Sequence, residues 1–144
     1  MQFGYAQSDI TPSKPIPIAG QMHVRMGNYT HDPLTVNVVA MSSGDIRVVL
    51  VSCDLLTMPG ALANNVQAEC QNAYGIPARS VIIGSIHTHL APFTENWLGI
   101  SDCNPNYIEE LQAKLVKTVG CALNDLEEVE VYAGAGYLEQ MGFN

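Results

Sequence analysis

Two histidines placed two residues apart, His87 and His89, are the side chains whose type and spacing most directly suggest chemistry. If the apolar segment before them is a strand that stays extended, both imidazoles project from one face and can approach one metal ion or one substrate. Imidazole is the commonest side-chain ligand of zinc, but a catalytic zinc needs three protein ligands and an open position. The structural alternative is that one histidine caps the loop through a hydrogen bond while the other is solvated.

A carboxylate, Asp54, follows a second apolar segment. It could bind metal, orient a histidine, or accept amide protons at the start of the helix predicted after it. His31 and Asp32 could be a ligand with its orienting carboxylate, although neighbours on a strand point to opposite faces, and Asp32 followed by Pro33 favours a turn. Cys53 is either a reactive thiol or, as the base rates for free cysteine favour, buried and inert.

The segments that must position these residues alternate between strand and helix patterns. Strands are predicted over residues 3–10, 34–41, 46–52, 80–86 and 129–135, and helices over residues 59–74 and 104–123. The polar residues 42–45 predict a hairpin between the second and third strands. Three prolines in residues 11–17 predict an extended loop that continues to about Asp32, and loops of this length tend to be functional.

The order of these elements predicts an α/β fold with a mostly parallel or mixed sheet, a β-hairpin and two crossover helices. We expect one domain over residues 1–144, forming part of a larger catalytic domain. In such sheets ligands bind outside the carboxyl ends of the strands, where Asp54 and the two histidines fall. We therefore expect the ring of His87 to lie in a cleft at this edge.

Composition excludes several classes of protein. A net charge of −8 with six Lys and Arg residues argues against nucleic-acid binding. No apolar run approaches the length of a membrane span, and the start of the sequence has no signal-peptide pattern, so we expect a cytoplasmic protein without a transmembrane segment. The four cysteines are scattered, which favours free thiols, and Cys70 and Cys121 fall in helical patterns where we expect them to be packed.

Four short motifs occur in a recognisable order. They are D-I-T-P at residues 9–12, H-D-P-L at 31–34, V-S-C-D-L-L at 51–56 and I-H-T-H-L-A-P at 86–92. Together they resemble the amino-terminal, catalytic-domain portion of the neutral/alkaline, non-lysosomal ceramidases, and the H-T-H-x-x-P element is the most specific part of the resemblance. In that family an α/β catalytic domain holds one zinc between two histidines, a glutamate and a tyrosine drawn from distant parts of the chain.

The resemblance implies a zinc-dependent amidohydrolase that cleaves the N-acyl bond of a ceramide-like lipid. His87 corresponds to a zinc ligand, His89 to a residue lining the active site, and Asp54 to a family acid that we assign to catalysis. The metal is expected to activate water and to polarise the amide carbonyl. Two departures stand out: Leu90 and Ala91 replace the family's Ser-Gly, and the sequence ends at Asn144, before the remaining ligands.

These departures lead to three interpretations. The first is an incomplete ceramidase-like enzyme, inactive in isolation and completed by a missing carboxyl-terminal portion or by another chain, with a homo-oligomer as one arrangement. The second is a hydrolase of a different N-acyl or ester substrate on the same scaffold. The third is a truncated, non-catalytic binding or assembly module.

Overall fold

The computed structural model describes residues 1–97 and 99–139. Its strands are β1 (Gln2–Asp9), β2 (Ile16–Ile18), β3 (Arg25–Gly27), β4 (Thr35–Ser43), β5 (Ile46–Cys53), β6 (Val81–Ser85) and β7 (Glu127–Glu128). Its two α-helices are α1 (Gly60–Tyr74) and α2 (Pro105–Asn124). The elements that flank the candidate site, β5, α1 and β6, have the predicted type and order.

A five-stranded sheet with the order β6-β5-β4-β1-β7 organises these elements. Strands β5 and β6 are parallel and are joined by α1, whereas the β4–β5, β1–β4 and β1–β7 pairs are antiparallel. The predicted α/β fold with a mixed sheet is therefore confirmed, as is the hairpin, in which β4 and β5 meet across a two-residue turn. A separate two-stranded sheet pairs β2 with β3.

The core lies on the one face of the sheet that both helices cover. Alternate residues of each strand point to this face, because side chains of a strand alternate with a period of two. The buried residues include Val36, Val38 and Ala40 of β4, Val49, Val51 and Cys53 of β5, Val81 of β6, Leu62, Val66 and Cys70 of α1, and Leu111, Leu115 and Val119 of α2. Full burial of each large side chain contributes about 1.5–3 kcal/mol, so this layer holds β5 and β6 in place.

Both helices have the local signals that the sequence predicts at their ends. Helix α1 stops at Gly75, which adopts a left-handed conformation. Helix α2 begins after Asn104, whose side-chain oxygen accepts hydrogen bonds from the amides of Asn106 and Tyr107. Within residues 1–97 and 99–139, neither helix is apolar enough over a sufficient length to cross a membrane.

Three expectations about local structure are wrong. The segment predicted as an extended loop contains β2 and β3, which are too short, at three residues each, to produce a recognisable alternation. The last strand is Glu127–Glu128 rather than residues 129–135, and residues 130–139 are exposed, so no packing supports a longer strand. Cys121 is exposed, because the buried face of α2 runs through Thr118, Val119 and Ala122.

Candidate active site

The carboxyl ends of β5 and β6 lie side by side, as predicted. Cys53 pairs with Ser85 at the end of the parallel ladder, and the amide of Ile86 continues the pairing by donating to the carbonyl of Cys53 at 3.0 Å. The amides of His87 and Thr88 both donate to the carbonyl of Leu55, at 3.0 and 3.2 Å. The backbone after β6 is thus hydrogen-bonded to the backbone after β5, which holds the histidine segment at this edge of the sheet.

His87 is oriented by a backbone carbonyl. Its Nδ1 lies 2.9 Å from the carbonyl oxygen of Leu56, and because a carbonyl can only accept, Nδ1 carries the hydrogen and donates it. A neutral ring protonated at Nδ1 has its lone pair on Nε2, the arrangement typical of a metal-ligating histidine. His87 is exposed rather than packed in the core.

The expectation that the strand stays extended through both histidines is wrong. Strand β6 ends at Ser85, and His87 has a φ of 67°, in the left-handed region that non-glycine residues seldom occupy. Such a conformation costs on the order of 1–3 kcal/mol and persists where surrounding contacts hold it, here the bonds to Leu55 and Leu56. The imidazoles of His87 and His89 still meet, with ring centroids 5.2 Å apart at 69°.

Asp54 is held by the start of β4. Its Oδ2 accepts hydrogen bonds from the backbone amide and the hydroxyl of Thr35, both at 2.8 Å. Helix α1 begins after Pro59 with no side-chain cap, so the interpretation of Asp54 as a helix cap is wrong. The carboxylate keeps Oδ1, to which no described residue donates, for another partner.

A cleft of about 590 Å³ lies between the segment that joins β1 to β4 and the segment that follows β6. Asp54, Ile86, Thr88 and Leu90 line it, whereas the two histidines between them do not. The ring of His87 does not line this cleft, and its place in an active-site cleft stays a prediction. The predicted site residues share one edge of the sheet, but the imidazoles lie together and the carboxylate lies in the cleft.

His31 and Asp32 also line this cleft. His31 Nδ1 lies 2.9 Å from Asp32 Oδ2, so their side chains meet, contrary to the strand-based expectation, because both residues lie in a loop before β4. Both side chains are almost fully exposed.

Burial raises the pKa of the Cys53 thiol to about 12, and the neighbouring Asp54 charge contributes to the increase. Cys53 is therefore a protonated core residue, which agrees with the inert interpretation.

The donor atoms fit part of a zinc site. His87 presents Nε2 as one ligand, and His89 is a second imidazole beside it. Across residues 1–97 and 99–139, no group of three or more His, Cys, Asp or Glu side chains is placed to hold a metal ion. A catalytic zinc bound here would therefore take its remaining protein ligands from outside the described residues.

Three further contributors to the site were missed in the sequence: Leu56, Gly20 and Arg25. Leu56 acts through its backbone carbonyl, Gly20 packs against His89, and Arg25 donates to the carbonyl of His89 at 2.6 Å. No sequence signal identifies a backbone acceptor. Arg25 precedes His89 by 64 residues, so their contact exists only in the folded chain.

Comparison with known proteins identifies the fold. No family model matches the sequence, and no curated protein matches it significantly. Neutral ceramidase from Pseudomonas aeruginosa matches in structure with a TM-score of 0.74 and 21% sequence identity, over 88% of this chain and 22% of that chain. This chain has the fold of part of neutral ceramidase. A ceramidase complexed with C2 matches with a TM-score of 0.77 and 19% identity, over 88% of this chain and 21% of that chain.

The ceramidase-like fold predicted from the four motifs is thus confirmed. The chain spans about a fifth of the length of the ceramidase chains that it matches.

Proposed function

We propose that this chain forms part of a zinc-dependent hydrolase of an N-acyl amide bond, of the ceramidase type. The observation that carries the proposal is the orientation of His87 at the edge of a ceramidase-like sheet. Its Nδ1 donates to the Leu56 carbonyl, and no other described residue forms a hydrogen bond with its Nε2. A hydrogen-bonded carbonyl fixes the tautomer and the direction of a ligating imidazole. The left-handed backbone of His87 supports a functional rather than a purely structural position.

In this proposal the metal and the two histidines have different roles in hydrolysis. Zinc, when bound, supplies Lewis-acid chemistry and a water of lowered pKa. His87 would hold the metal through Nε2, since its Nδ1 contacts the Leu56 carbonyl. His89, whose ring contacts that of His87, would form a hydrogen bond with the reacting water or with the tetrahedral intermediate.

Asp54 has a separate place in the proposal. Thr35 fixes one carboxylate oxygen, and the other is left for a substrate hydrogen bond in the cleft. Its catalytic role therefore depends on the substrate reaching from the cleft to the imidazoles.

The cleft supports an apolar substrate such as an N-acyl lipid. Its lining includes Met26, Tyr29, Ile86 and Leu90, which offer aliphatic and aromatic surface beside the carboxylate of Asp54. Clefts of this size that combine apolar walls with a few polar groups are typical of small-molecule sites. Leu90 is also one of the residues that departs from the ceramidase motif, and its side chain is 65% exposed in the cleft. The presence of Leu90 in the cleft favours a second candidate function, hydrolysis of a different N-acyl or ester substrate on the same scaffold.

The test is zinc content and hydrolysis in the full-length gene product that carries this chain. We expect His87→Asn to reduce zinc affinity by more than about 100-fold, because loss of a ligand should exceed the 10–100-fold cost of losing an outer-shell partner. Asparagine is suitable because it tolerates the left-handed backbone. Hydrolysis of a short-chain ceramide should fall with the zinc.

His23→Asn is the matched control, since His23 is an exposed loop histidine outside the site. It should retain both zinc and hydrolysis. Stoichiometric zinc in the His87→Asn protein would contradict the proposal. A panel of ceramide, simple N-acyl amides and esters then separates the two candidate substrates, and the isolated 144-residue chain should bind zinc weakly and show no turnover.

A further inference from the structure

The small β2–β3 hairpin is docked on the histidine segment. The amide of Ala19 donates to the carbonyl of Ala91 at 2.8 Å, and Ile18 forms an antiparallel bridge with Pro92. Both contacts join the end of β2 to residues that closely follow His89. The hairpin is thus attached to the segment that carries the imidazoles.

Arg25, the first residue of β3, also connects the hairpin to the segment that carries the histidines. Its Nη2 lies 2.6 Å from the carbonyl oxygen of Ala19 and 2.6 Å from that of His89. Hydrogen bonds from a charged donor are shorter and about twice as strong as neutral ones. The guanidinium therefore fixes the backbone of His89 to the hairpin.

Gly20 permits the close approach that this arrangement requires. A Cβ atom at Gly20 would lie 2.5 Å from the Cβ of His89 and 2.6 Å from its Cγ, and Gly20 has a φ of 101°. Both the space and the conformation therefore require glycine. Arg25 thus binds the carbonyl oxygen of His89, and Gly20 packs against its Cα and Cβ atoms.

We propose that the β2–β3 hairpin is a positioning element, in which Arg25 and Gly20 hold the imidazole of His89 beside that of His87. His87 has its own support from Leu56, whereas the hairpin contacts hold His89. The importance of the pair for catalysis rests on the proposed function. The positioning itself is a statement about geometry and can be tested without zinc.

The first test is an NMR measurement on the 144-residue chain. Cross-relaxation between the ring protons of His87 and His89 reports their contact, because the ring centroids are 5.2 Å apart. We expect Arg25→Gln to abolish this cross-peak while the amide shifts of β4 and β5 stay at their parental positions. Arg25→Lys, which keeps a cationic donor, should restore part of its intensity. Arg47→Gln is the matched control, since Arg47 lies exposed at the turn end of β5, and it should keep the cross-peak.

The second test reaches His89 by a separate route and remains decisive if Arg25→Gln fails to fold. Gly20→Ala places a methyl group against His89, and we expect it to abolish the same cross-peak. Gly44→Ala is the matched control, because Gly44 also has a positive φ, of 57°, but nothing lies within 4 Å of the position that an added methyl group would take. Unchanged cross-peak intensity in both Gly20→Ala and a folded Arg25→Gln would overturn the inference.

Titration with Zn²⁺ alone links the inference to the proposed function. In the full-length gene product, we expect Arg25→Gln to weaken Zn²⁺ binding by no more than about ten-fold, because Arg25 holds the ring packed against the ligand His87 and not the ligand itself. Absence of Zn²⁺ binding to the full-length gene product would count against the proposed function. Loss of the ring contact in the variants would still support the positioning role, so the two failures are distinguishable.

Discussion

At the scale of single residues, the chemistry of each candidate group depends on an atom that the sequence does not point to. His87 is oriented by the carbonyl of Leu56, and Asp54 by the amide and hydroxyl of Thr35. The acceptor at Leu56 is a backbone carbonyl, which every amino acid has, so the sequence does not mark this position. His87 and Asp54 could therefore be predicted as candidates. Which ring nitrogen and which carboxylate oxygen are held by other described residues could not.

The four thiols provide a prediction at this scale. Cys53 and Cys70 are buried, and desolvation raises their pKa values to about 12 and about 11, so both remain protonated near neutral pH. Cys121 is exposed on α2. Because the thiolate is the reactive form, iodoacetamide at about pH 8 should label Cys121 rapidly in the native chain, and should label Cys53 and Cys70 at least about ten-fold more slowly. Peptide mass mapping measures each rate.

Cys121→Ser is the control for this experiment and should remove the fast labelling at that position. In denaturant, all four thiols should react at similar rates, because unfolding removes the desolvation of Cys53 and Cys70. Rapid native labelling of Cys53 would restore the interpretation of this residue as a reactive thiol.

At the scale of elements, the strands and helices that sequence patterns predicted are those long enough to show their period. Strands β4 and β5 and helices α1 and α2 span between eight and twenty residues, so alternation or helical spacing is visible in each. Strands β2 and β3 have three residues each and form through contacts with each other and with the histidine segment. The hairpin that holds His89 is therefore an element that local sequence could not predict.

A glycine in β1 sets the distance between the sheet and α2. A Cβ atom at Gly4 would lie 2.1 Å from the carbonyl oxygen of Ala122, which is backbone and cannot move aside alone. We expect Gly4→Ala to reduce the free energy of unfolding by about 1–3 kcal/mol, the usual cost of overpacking. Urea unfolding followed by circular dichroism measures the change.

Gly84→Ala is the matched control, because Gly84 is also a strand residue of the same sheet but has open space at its Cβ position. It should change the free energy of unfolding by less than about 0.5 kcal/mol, as surface substitutions usually do. Equal destabilisation by the two substitutions would show that a strand glycine matters here for reasons other than the approach of α2.

At the scale of the whole molecule, the sheet is covered on one face. On the other, Tyr5 pairs with Val39, Val39 with Leu50 and Leu50 with Ile82, so a row of apolar side chains crosses four strands. Tyr5, Leu50 and Ile82 are 53%, 42% and 56% exposed. Single exposed apolar residues are ordinary, but a contiguous row of them is typical of an interaction surface.

This open face predicts that the isolated chain associates with itself, and a homo-oligomer is one of the arrangements given by the sequence analysis. We expect sedimentation velocity to show larger species as the protein concentration rises. Leu50→Lys places a charge in the middle of the row and should shift the association to at least about ten-fold higher concentration, which corresponds to about 1.4 kcal/mol.

Val131→Lys is the control for added charge, since Val131 is 63% exposed and lies after β7, outside the row. It should leave the association of the chain unchanged. A monomer at all concentrations in the parent chain would contradict the prediction, and equal effects of the two lysines would assign the association to net charge rather than to the open face.

The sequence by itself determined the elements around the site and the edge at which the candidate residues gather. Alternation in β4 and β5, helical spacing in α1 and α2, and end signals at Gly75 and Asn104 are local properties, so they can be recognised without the folded chain. The order of these elements then placed the residues after β5 and β6 side by side.

The tertiary structure decided how those residues are used. In the folded chain, the backbone of His87 is left-handed and its ring contacts the carbonyl of Leu56. The carboxylate of Asp54 lies in a cleft apart from the imidazoles, and Arg25 binds the hairpin to the histidine segment. Each of these outcomes depends on a contact between residues that are distant in the chain. Orientation is set by such contacts, which is why residue types and spacing predicted the candidates and the folded chain determined their geometry.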